Sequence, residues 1–343
     1  MERLGIPVEQ YSTILEELNF FLIKREQLRE AEQRIQSQNF WWFEVYEGNN
    51  KSSKMTIDNG TLHDISLSEL LFSNDWSLEK TTHYMQHNWV PMSYKITLAY
   101  LAIVYWGQKW MFTRKAFDSK AMSVVLAVWN FSFSIFSGYA AYCLLPELFK
   151  MFRHHGFVGT YCQNAEYYND SSTGYWGWMF VMSKAPELGD TMFLILRKRP
   201  VIFLHWYHHA LTFLYATITY AEKQAWCRWS LALNLSVHTV MYFYFGLQAM
   251  KVRAPRPVAK FITSIQILQF VISVYIFTHI VYIKYADATP CDASWNMLSL
   301  GGLMYLSYLY LFAQFFYDSY ISGKARMKRN LSTEATTSTK KIE

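Results

Sequence analysis

The sequence has few cysteines, and it lacks an apolar segment directly after its first residues. Met1-Glu2-Arg3 is not followed by the apolar region of a secretory signal peptide, so we expect the first membrane-spanning segment to direct insertion. Only four cysteines occur in 343 residues, and none is close to the histidines of residues 205–209. A cysteine nucleophile at that histidine cluster is therefore disfavoured.

Charged residues are scarce after residue 90, where long apolar runs dominate. The mean hydropathy of +0.00 averages a polar segment, residues 1–90, with an apolar remainder. A run of about 20 apolar residues spans a bilayer. The sequence contains seven such runs: Met92–Gln108, Met122–Leu145, Tyr175–Leu196, Val201–Tyr220, Trp229–Met250, Phe261–Tyr282 and Met297–Tyr320. We expect an all-α polytopic membrane protein with seven transmembrane helices.

The domain organisation follows from the same pattern. We expect a lumenal N-terminal extension over residues 1–90, a seven-span domain over 91–322 and a cytosolic basic tail over 323–343. Within the extension, Ile14–Gln36 has the pattern of an amphipathic helix. A connection of about thirty residues, Pro146–Gly174, is expected between the second and third spans, which is long for a helical bundle.

Lysine and arginine predict the orientation in the membrane, because cytosolic loops carry an excess of them. One side of the predicted topology carries 17 of these residues and the other side five. This places the C-terminus in the cytosol and the N-terminus in the lumen. The net charge of +6 is mostly this topology signal, and it gives no reason to invoke nucleic acid. The final residues, Lys340-Lys341-Ile342-Glu343, are similar to a dilysine signal for retrieval to the endoplasmic reticulum.

Two kinds of covalent modification are predicted on the lumenal side. Cys162 and Cys291 both fall in predicted lumenal loops, where an oxidising environment permits a disulfide between them. Asn50 and Asn59 begin glycosylation sequons in the N-terminal extension.

Three histidines lie on one face of the fourth predicted span. His205, His208 and His209 are spaced by three and four residues, which places them together on a helix. Polar and ionisable groups inside a membrane are costly, so they indicate a functional site. Three structural histidines between packed helices are the alternative, but that arrangement needs three separate buried partners.

Neighbouring spans carry further polar stripes at helical spacing. Charged residues in a span must face the bundle interior and pair. The stripes comprise Lys184, Glu187 and Asp190 in the third span, Asn234, His238 and Tyr242 in the fifth, and Gln266 and Gln269 in the sixth. With the predicted topology, these residues and the basic loops share the cytosolic half. This predicts a polar chamber that accepts an anionic substrate with an apolar body.

Four motifs occur in a fixed order across the apolar region. They are Lys184-x-x-Glu187-x-x-Asp190-Thr191, His205-Trp206-Tyr207-His208-His209, His238-x-x-Met241-Tyr242 and Thr263-x-x-Gln266-x-x-Gln269. In this combination the sequence resembles the ELO family of very-long-chain fatty acid elongases over about residues 75–325. HxxHH alone would be a weak signal, because di-iron desaturases carry it too. Met182–Glu187 and Arg197–Pro200 resemble the branch that acts on saturated and monounsaturated chains.

The resemblance implies a condensing enzyme, a 3-oxoacyl-CoA synthase of the acyltransferase class. Its substrates would be a long-chain acyl-CoA and malonyl-CoA, and its products 3-oxoacyl-CoA, carbon dioxide and CoA. No cofactor or metal is implied, since the CoA thioesters are substrates. The partners implied are the ketoacyl-CoA reductase, dehydratase and enoyl-CoA reductase of the elongation cycle, and a homodimer is one assembly open to such a protein.

Roles for individual residues follow from this reaction. Because no cysteine is near, His208 is the expected nucleophile, forming an acyl-imidazole in a ping-pong scheme. His205 and His209 would polarise the thioester carbonyl or stabilise the enolate, and His238, stacked on Asn234, would stabilise the malonyl-derived oxyanion. Asp190 would orient a histidine and fix its tautomer. Remaining predictions are an ion pair or CoA contact for Lys184 and Glu187, pantetheine contacts for Gln266 and Gln269, phosphate contacts for Arg199, Lys251 and Arg256, and a substrate-side position for Tyr242. The acyl chain would occupy a tunnel that runs from the histidines toward the lumen.

Two other classes of function remain open at the level of sequence. A membrane di-iron desaturase or hydroxylase also uses HxxHH, but it needs about eight histidine ligands. Only His205, His208, His209 and His238 fall in the apolar core. A seven-span receptor or transporter would explain the topology and would make the polar residues a binding or proton site, although the dilysine signal argues against a plasma-membrane receptor.

Overall fold

Helices form most of the chain that the structure describes. The computed structural model describes residues 65–73, 75–252 and 254–322. The chain divides into two units, Met1–His63 and Asp64–Glu343, and every described residue lies in the second. No strand occurs among these residues.

Several predictions concern residues outside these ranges. The amphipathic segment Ile14–Gln36, the sequons at Asn50 and Asn59, and the dilysine pair Lys340-Lys341 all lie outside the described residues.

Ten α-helices and two short π-helical turns make up the described unit. The helices are α1 (Leu67–Phe72), α2 (Leu78–Tyr84), α3 (Val90–Phe112), α4 (Lys120–Cys162), α5 (Ser171–Glu187), α6 (Gly189–Leu196), α7 (Phe203–Ala221), α8 (Cys227–Ala249), α9 (Arg256–Tyr285) and α10 (Trp295–Phe316). The π-helical turns, Met85–Trp89 and Tyr317–Ile321, precede α3 and follow α10.

The predicted spans coincide with the long helices. Each of the seven predicted segments falls largely on one of α3 to α10, with the third divided between α5 and α6. Three stretches are long and apolar enough to cross a membrane: Lys120–Cys162, Arg256–Tyr285 and Trp295–Ile321. The all-helical, membrane-spanning class is therefore confirmed for this part of the chain.

Six helices contact one another in a closed ring. α4 packs along α8, α8 along α9, α9 along α10, α10 against α7, α7 against α5, and α5 against α4. α3 lies outside this ring, against α6 and α7. The ring encloses an interior that side chains of α5, α7, α8, α9 and α10 face.

The two ends of the ring differ in their connections. At one end, the backbone N–H of Phe117 donates to the carbonyl of Leu196, and Lys198 Nζ donates to the carbonyls of Phe112 and Arg114. We call this the basic end, and its described residues comprise 113–119, 197–202, 250–252 and 254–255. The other, the disulfide end, comprises connections 163–170, 222–226 and 286–294.

Covalent and polar contacts join the connections at the disulfide end. Cys162 and Cys291 form a disulfide. Asp292 receives a hydrogen bond from the backbone N–H of Ala225 on its carbonyl and donates its own N–H to the carbonyl of Cys162. Tyr168 donates its hydroxyl to the Gln224 carbonyl at 2.9 Å, and burial raises the pKa of this phenol well above its usual value. These contacts hold the disulfide end together as one layer.

The long connection predicted after the second span is largely helix. α4 continues from Lys120 to Cys162, so only residues 163–170 connect it to α5. The backbone of Gly156, with φ of 66°, interrupts the helical geometry within this stretch.

Helical periodicity after Pro146 explains this difference. Leu148 and Met151 are buried at a spacing of three, whereas Lys150 and Arg153 are exposed. A proline inside a helix removes one hydrogen bond, and here the amphipathic turns that follow pack well enough to continue the helix. The expected connection Pro146–Gly174 is therefore shorter than predicted, and it covers residues 163–170.

Residues before α3 also belong to the packed unit. Ile65, Leu70 and Met85 are buried in the main hydrophobic cluster. Trp76 donates its indole N–H to the carbonyl of Tyr168 at 3.0 Å. The compact unit thus begins ahead of residue 90, where polarity alone placed the domain boundary.

Arg228 organises the disulfide end from within. This side chain is 1% exposed and pairs with Glu147 at 2.6 Å. Its other nitrogens donate to the carbonyls of Thr160, Gln163 and Asn164. A buried guanidinium satisfied in this way fixes the end of α4 against the start of α8.

We expect Arg228→Met to lower stability strongly, because it leaves Glu147 without its charge partner and three carbonyls without a donor. Removing one partner of a buried ion pair costs about 3–5 kcal/mol. Arg153→Met changes an exposed arginine on α4, the helix of Glu147, and serves as the matched control. Thermal unfolding of the purified protein in detergent measures both variants, and equal midpoints would contradict this account of Arg228.

Candidate active site

Two adjoining cavities occupy the interior of the ring. The larger, which we call the outer chamber, has a volume of about 370 Å³ and reaches Ile202, Ala259 and Tyr320 toward the basic end. The smaller, which we call the inner cavity, measures about 60 Å³ and reaches Thr219 and Cys227 toward the disulfide end. A molecule that fills both would extend along most of the ring axis.

The predicted histidines converge on the outer chamber. The chamber is lined by His205, His208, His209 and His238. Tyr242, Gln266 and Gln269 of the neighbouring helices also line it. The structure therefore brings together side chains of α7, α8 and α9 that the sequence predicts to share one chamber.

His208 occupies the junction between the two cavities. Together with Gln269 and Phe270, it lines both of them. Its ring lies 4.9 Å from that of Tyr308, whose hydroxyl donates to the His208 carbonyl at 3.2 Å. No hydroxyl or carboxylate of the described residues bonds a ring nitrogen of His208, so that ring remains available to a ligand.

The other two histidines of the cluster are close neighbours. The ring centroids of His205 and His209 are 4.4 Å apart, and those of His208 and His209 are 5.6 Å apart. His205 Nε2 lies 3.0 Å from the hydroxyl of Thr191, which in turn lies 2.8 Å from the hydroxyl of Tyr100. The sequence does not identify Tyr100 as a site residue, because its neighbours in the sequence are like those of other tyrosines in apolar runs.

A buried polar network supports His238. Lys184 Nζ donates to Glu187 Oε1 at 2.7 Å and to Asn234 Oδ1 at 3.1 Å. The Asn234 amide contacts His238 Nε2 at 3.2 Å, and His238 Nδ1 lies 3.7 Å from Glu187 Oε2. The predicted Lys184–Glu187 pair is present, and it is linked to His238 through the Asn234 amide at Nε2. His238 Nδ1 is buried and has no hydrogen-bond partner among the described residues.

Asp190 does not contact a histidine in the described structure. Trp129 donates to its Oδ1 at 2.7 Å, and the Tyr242 hydroxyl donates to its Oδ2 at 2.8 Å. The prediction that Asp190 orients a histidine is therefore corrected, and Thr191 is the residue that contacts His205. The reason is the break at Leu188 between α5 and α6, which ends the regular stacking that spacing from Lys184 implied.

The two glutamines of α9 differ in their environment. Gln266 Nε2 donates to the sulfur of Met241 at 3.2 Å. Gln269 Oε1 is buried and has no hydrogen-bond partner among the described residues. An unpaired buried acceptor is costly, and this one lies at the junction where a ligand could donate to it.

Basic side chains near the outer chamber come from the connection between α8 and α9 and from the start of α9. Lys251 and Arg256 are exposed, and Arg256 is the first residue of α9, three positions before the lining residue Ala259. Arg199 instead lies 3.5 Å from Asp118, and it helps to tie connections 113–119 and 197–202 together. Lys260, beside Ala259, is a further cation at this mouth that the sequence did not single out.

Neither free cysteine lines the outer chamber, where the four histidines converge. Cys227 is buried at the inner cavity's disulfide-end side, and Cys143 lines neither cavity. Among the described residues, no group of three or more histidine, cysteine, aspartate or glutamate side chains is arranged to hold a metal ion.

A helical ring that encloses a chamber lined by four histidines, next to a narrow inner cavity, fits a membrane enzyme. Comparison with known proteins identifies the kind of enzyme. Residues 84–328 match the ELO family, described as the GNS1/SUR4 family.

Three relatives show the extent of the similarity. The chain is 64% identical to long chain fatty acid elongase 2 of Caenorhabditis elegans over 75% of this chain and 93% of the relative. It is 39% identical to long chain fatty acid elongase 1 of the same organism, over 68% and 80%. It is 36% identical to very long chain fatty acid elongase 6 of Drosophila melanogaster, over 76% and 82%.

The chain therefore belongs to the ELO family. The prediction of a condensing enzyme of fatty acid elongation, of the 3-oxoacyl-CoA synthase type, is confirmed at this level. The desaturase and the receptor or transporter are set aside in its favour.

We expect the Lys184–Glu187 pair to be strongly coupled. Lys184→Met leaves Glu187 buried without its cation, at a cost of about 3–5 kcal/mol, whereas the double variant Lys184→Met/Glu187→Gln should lose less than the single variant. The exposed pair Lys80–Glu69 is the matched control, because a surface pair contributes only about 0–1 kcal/mol.

A double-mutant cycle of thermal unfolding in detergent measures the two couplings. A coupling for the buried pair no larger than that of Lys80–Glu69 would contradict this account of the network.

Proposed function

We propose that the outer chamber binds the CoA part of an acyl-CoA, that the inner cavity holds its acyl chain, and that His208 accepts the acyl group. The observation that supports this proposal is the position of His208 at the junction of the two cavities. A thioester joins a bulky CoA to a long apolar chain, so its reactive carbonyl belongs where the larger chamber meets the narrow inner cavity.

The proposed first half-reaction acylates His208. An unprotonated ring nitrogen attacks the thioester carbonyl carbon, a C–N bond forms and the C–S bond breaks. The acylated ring gives its remaining N–H proton to the CoA thiolate, which leaves as the thiol.

The second half-reaction uses malonyl-CoA. Its carboxylate leaves as carbon dioxide, and the electron pair of the broken C–C bond forms the enolate of the remaining thioester. The enolate carbon attacks the acyl carbonyl, the C–N bond breaks, and the ring of His208 takes a proton from water. The two CoA thioesters thus use one chamber in turn, which gives ping-pong kinetics.

Supporting roles follow from the contacts around His208. His205 and His209 are placed to polarise the thioester carbonyl, and His238 is placed to stabilise the malonyl-derived oxyanion. Gln269 offers an unpaired amide oxygen to the pantetheine arm, beside Gln266. Lys251, Arg256 and Lys260 are the cations proposed for the CoA phosphates, whereas the pairing with Asp118 makes Arg199 a weaker candidate for that role.

The membrane setting extends the same proposal. We propose that all seven predicted segments cross the membrane of the endoplasmic reticulum, with the N-terminus lumenal and the C-terminus cytosolic. The disulfide end is then lumenal, which suits the Cys162–Cys291 bond. The basic end is then cytosolic, where acyl-CoA and malonyl-CoA enter.

Substrate class and partners are proposed from the sequence pattern. Long-chain saturated or monounsaturated acyl-CoA is the proposed substrate, from the motif around Lys184 and from Pro200. A ketoacyl-CoA reductase, a dehydratase and an enoyl-CoA reductase would consume the product in turn. A homodimer is the simplest proposed assembly.

We expect the purified protein, given acyl-CoA alone, to release CoA and to gain the acyl mass on the peptide His205–Ala210. His208→Ala should abolish both signals, because the nucleophile is gone. His154→Ala, which changes an exposed histidine of α4 outside both cavities, should preserve them. A thiol assay and mass spectrometry supply the two readouts.

The outcomes of this experiment separate two claims. CoA release without an acylated peptide would exclude the covalent histidine but leave the condensing reaction intact. No CoA release, with malonyl-CoA present or absent, would exclude the proposed use of the chamber altogether.

We also expect the inner cavity to limit the length of the acyl chain. The cavity extends about 16 Å along α7 between His208 and Thr219, and Cys227 lines its disulfide-end side. Cys227→Met should shift the products toward shorter chains, since the added atoms occupy the volume that the chain end needs. Cys143→Met is the matched control, because Cys143 lines neither cavity. Gas chromatography of the products measures the shift, and an unchanged distribution for Cys227→Met would contradict the assignment of the inner cavity.

A further inference from the structure

Two buried hydroxyl groups connect α3 and α6 to the first histidine of the cluster. The hydroxyl oxygens of Tyr100 and Thr191 are 2.8 Å apart, and Thr191 Oγ1 lies 3.0 Å from His205 Nε2. Thr191 is fully buried and Tyr100 is 4% exposed. His205 lines the outer chamber, whereas neither hydroxyl residue does. The three groups therefore form a chain that runs from the outside of the helical ring to the chamber.

The direction of this chain follows from counting donors. Each hydroxyl has one proton to donate. Within the described residues, the Tyr100 hydroxyl contacts Thr191 alone. If Tyr100 donates to Thr191 and Thr191 donates to His205 Nε2, both hydroxyl protons are used. In the opposite direction, His205 Nε2–H donates to Thr191 and Thr191 donates to Tyr100, so the buried Tyr100 proton has no acceptor.

An unused buried donor costs about 1–3 kcal/mol, which favours the first direction. His205 Nε2 is then the acceptor of a hydrogen bond. In a neutral imidazole only one nitrogen carries the proton, so the proton of His205 lies on Nδ1. The chain of hydroxyls thereby selects one tautomer of the ring.

We propose that Tyr100 and Thr191 are positioning residues that fix His205 as the Nδ1–H tautomer, so that this ring serves as a hydrogen-bond donor in the outer chamber. The proposal rests on the proposed function, in which a histidine donor polarises the thioester carbonyl. It also separates the roles of two neighbours on α7. Nε2 of His205 is occupied and its other nitrogen donates, whereas His208 keeps a free ring for the acyl group.

Three substitutions test the relay in the full-length enzyme. Thr191→Val removes the donor to His205 and preserves the shape of the side chain. We expect kcat to fall by about 10–100-fold, a fall no larger than the one caused by removing an oxyanion donor itself. Tyr100→Phe removes only the outer hydroxyl, and it should lower kcat by about 2–10-fold, as expected for one neutral hydrogen bond. Thr191→Ser retains the hydroxyl and should restore most of the activity. KM for acyl-CoA should stay nearly unchanged in all three.

Tyr161→Phe is the matched control. The Tyr161 hydroxyl also contacts a histidine ring, that of His279, but this pair lines neither cavity. It tests whether the loss of any buried tyrosine–histidine hydrogen bond lowers kcat, and we expect kcat close to that of the unchanged protein.

A second readout does not depend on activity. Nitrogen NMR of protein with isotope-labelled histidine distinguishes a protonated ring nitrogen from an unprotonated one, and the spectrum of His205→Gln identifies the His205 signals by difference. We expect an unprotonated Nε2 in the unchanged protein, in Thr191→Ser and in Tyr161→Phe. We expect a mixture of tautomers in Thr191→Val. A proton on Nε2 in the unchanged protein would overturn the proposal.

The kinetic outcomes separate this proposal from the acyl-histidine. Normal kcat in both Thr191→Val and Tyr100→Phe, in protein that still forms acyl-His208, would overturn the relay and leave the proposed function standing. An unchanged protein with no acylated peptide, whose kcat still falls in Thr191→Val and recovers in Thr191→Ser, would exclude the covalent step and support the relay.

Discussion

The buried ion pair between Lys184 and Glu187 is the interaction on which the site depends. A charged pair inside an apolar ring is stable only when further hydrogen bonds satisfy both partners. Lys184 therefore reaches Asn234, and Glu187 approaches His238, so α5 is joined to α8. Since α8 also packs along α4 and α9, the pair positions His238 relative to the rest of the chamber. Burying two charges costs desolvation free energy. Polar partners such as Asn234 and His238 therefore lie beside the pair, at the same height along the ring axis.

The two ends of the ring have different roles: contacts at the disulfide end stabilise the fold, and the basic end gives access to the chamber. At the disulfide end, Arg228 and the Cys162–Cys291 bond join three connections into one layer. At the basic end, the ion pairs that Asp118 forms with Arg197 and Arg199 are more exposed than the Arg228–Glu147 pair. The chamber opens at this end between α7, α8 and α9. A closed end and an open end suit a substrate whose apolar tail enters first and whose polar part stays at the mouth.

The sequence predicts the residues of the site better than their contacts. Apolar runs and helical spacing identify the long helices and bring His205, His208, His209 and His238 to one chamber, because membrane polarity constrains both. Spacing fails where a helix breaks, so Asp190 turns to Trp129 and Tyr242 beyond Leu188. Contacts between distant segments, such as Tyr100 with Thr191, have no local pattern and need coordinates.

The three histidines of α7 are chemically unequal although the sequence makes them look alike. A hydroxyl relay occupies one nitrogen of His205, aromatic rings surround His208, and His209 lies between these two neighbours. A nucleophile needs a free nitrogen, whereas a donor needs a fixed proton. A neutral ring has one unprotonated nitrogen and one N–H. In His205 the hydroxyl of Thr191 already contacts Nε2, so the free nitrogen that a nucleophile needs must come from another member of the cluster. In the proposed mechanism, the position of His208 at the cavity junction makes it the member that receives the acyl chain.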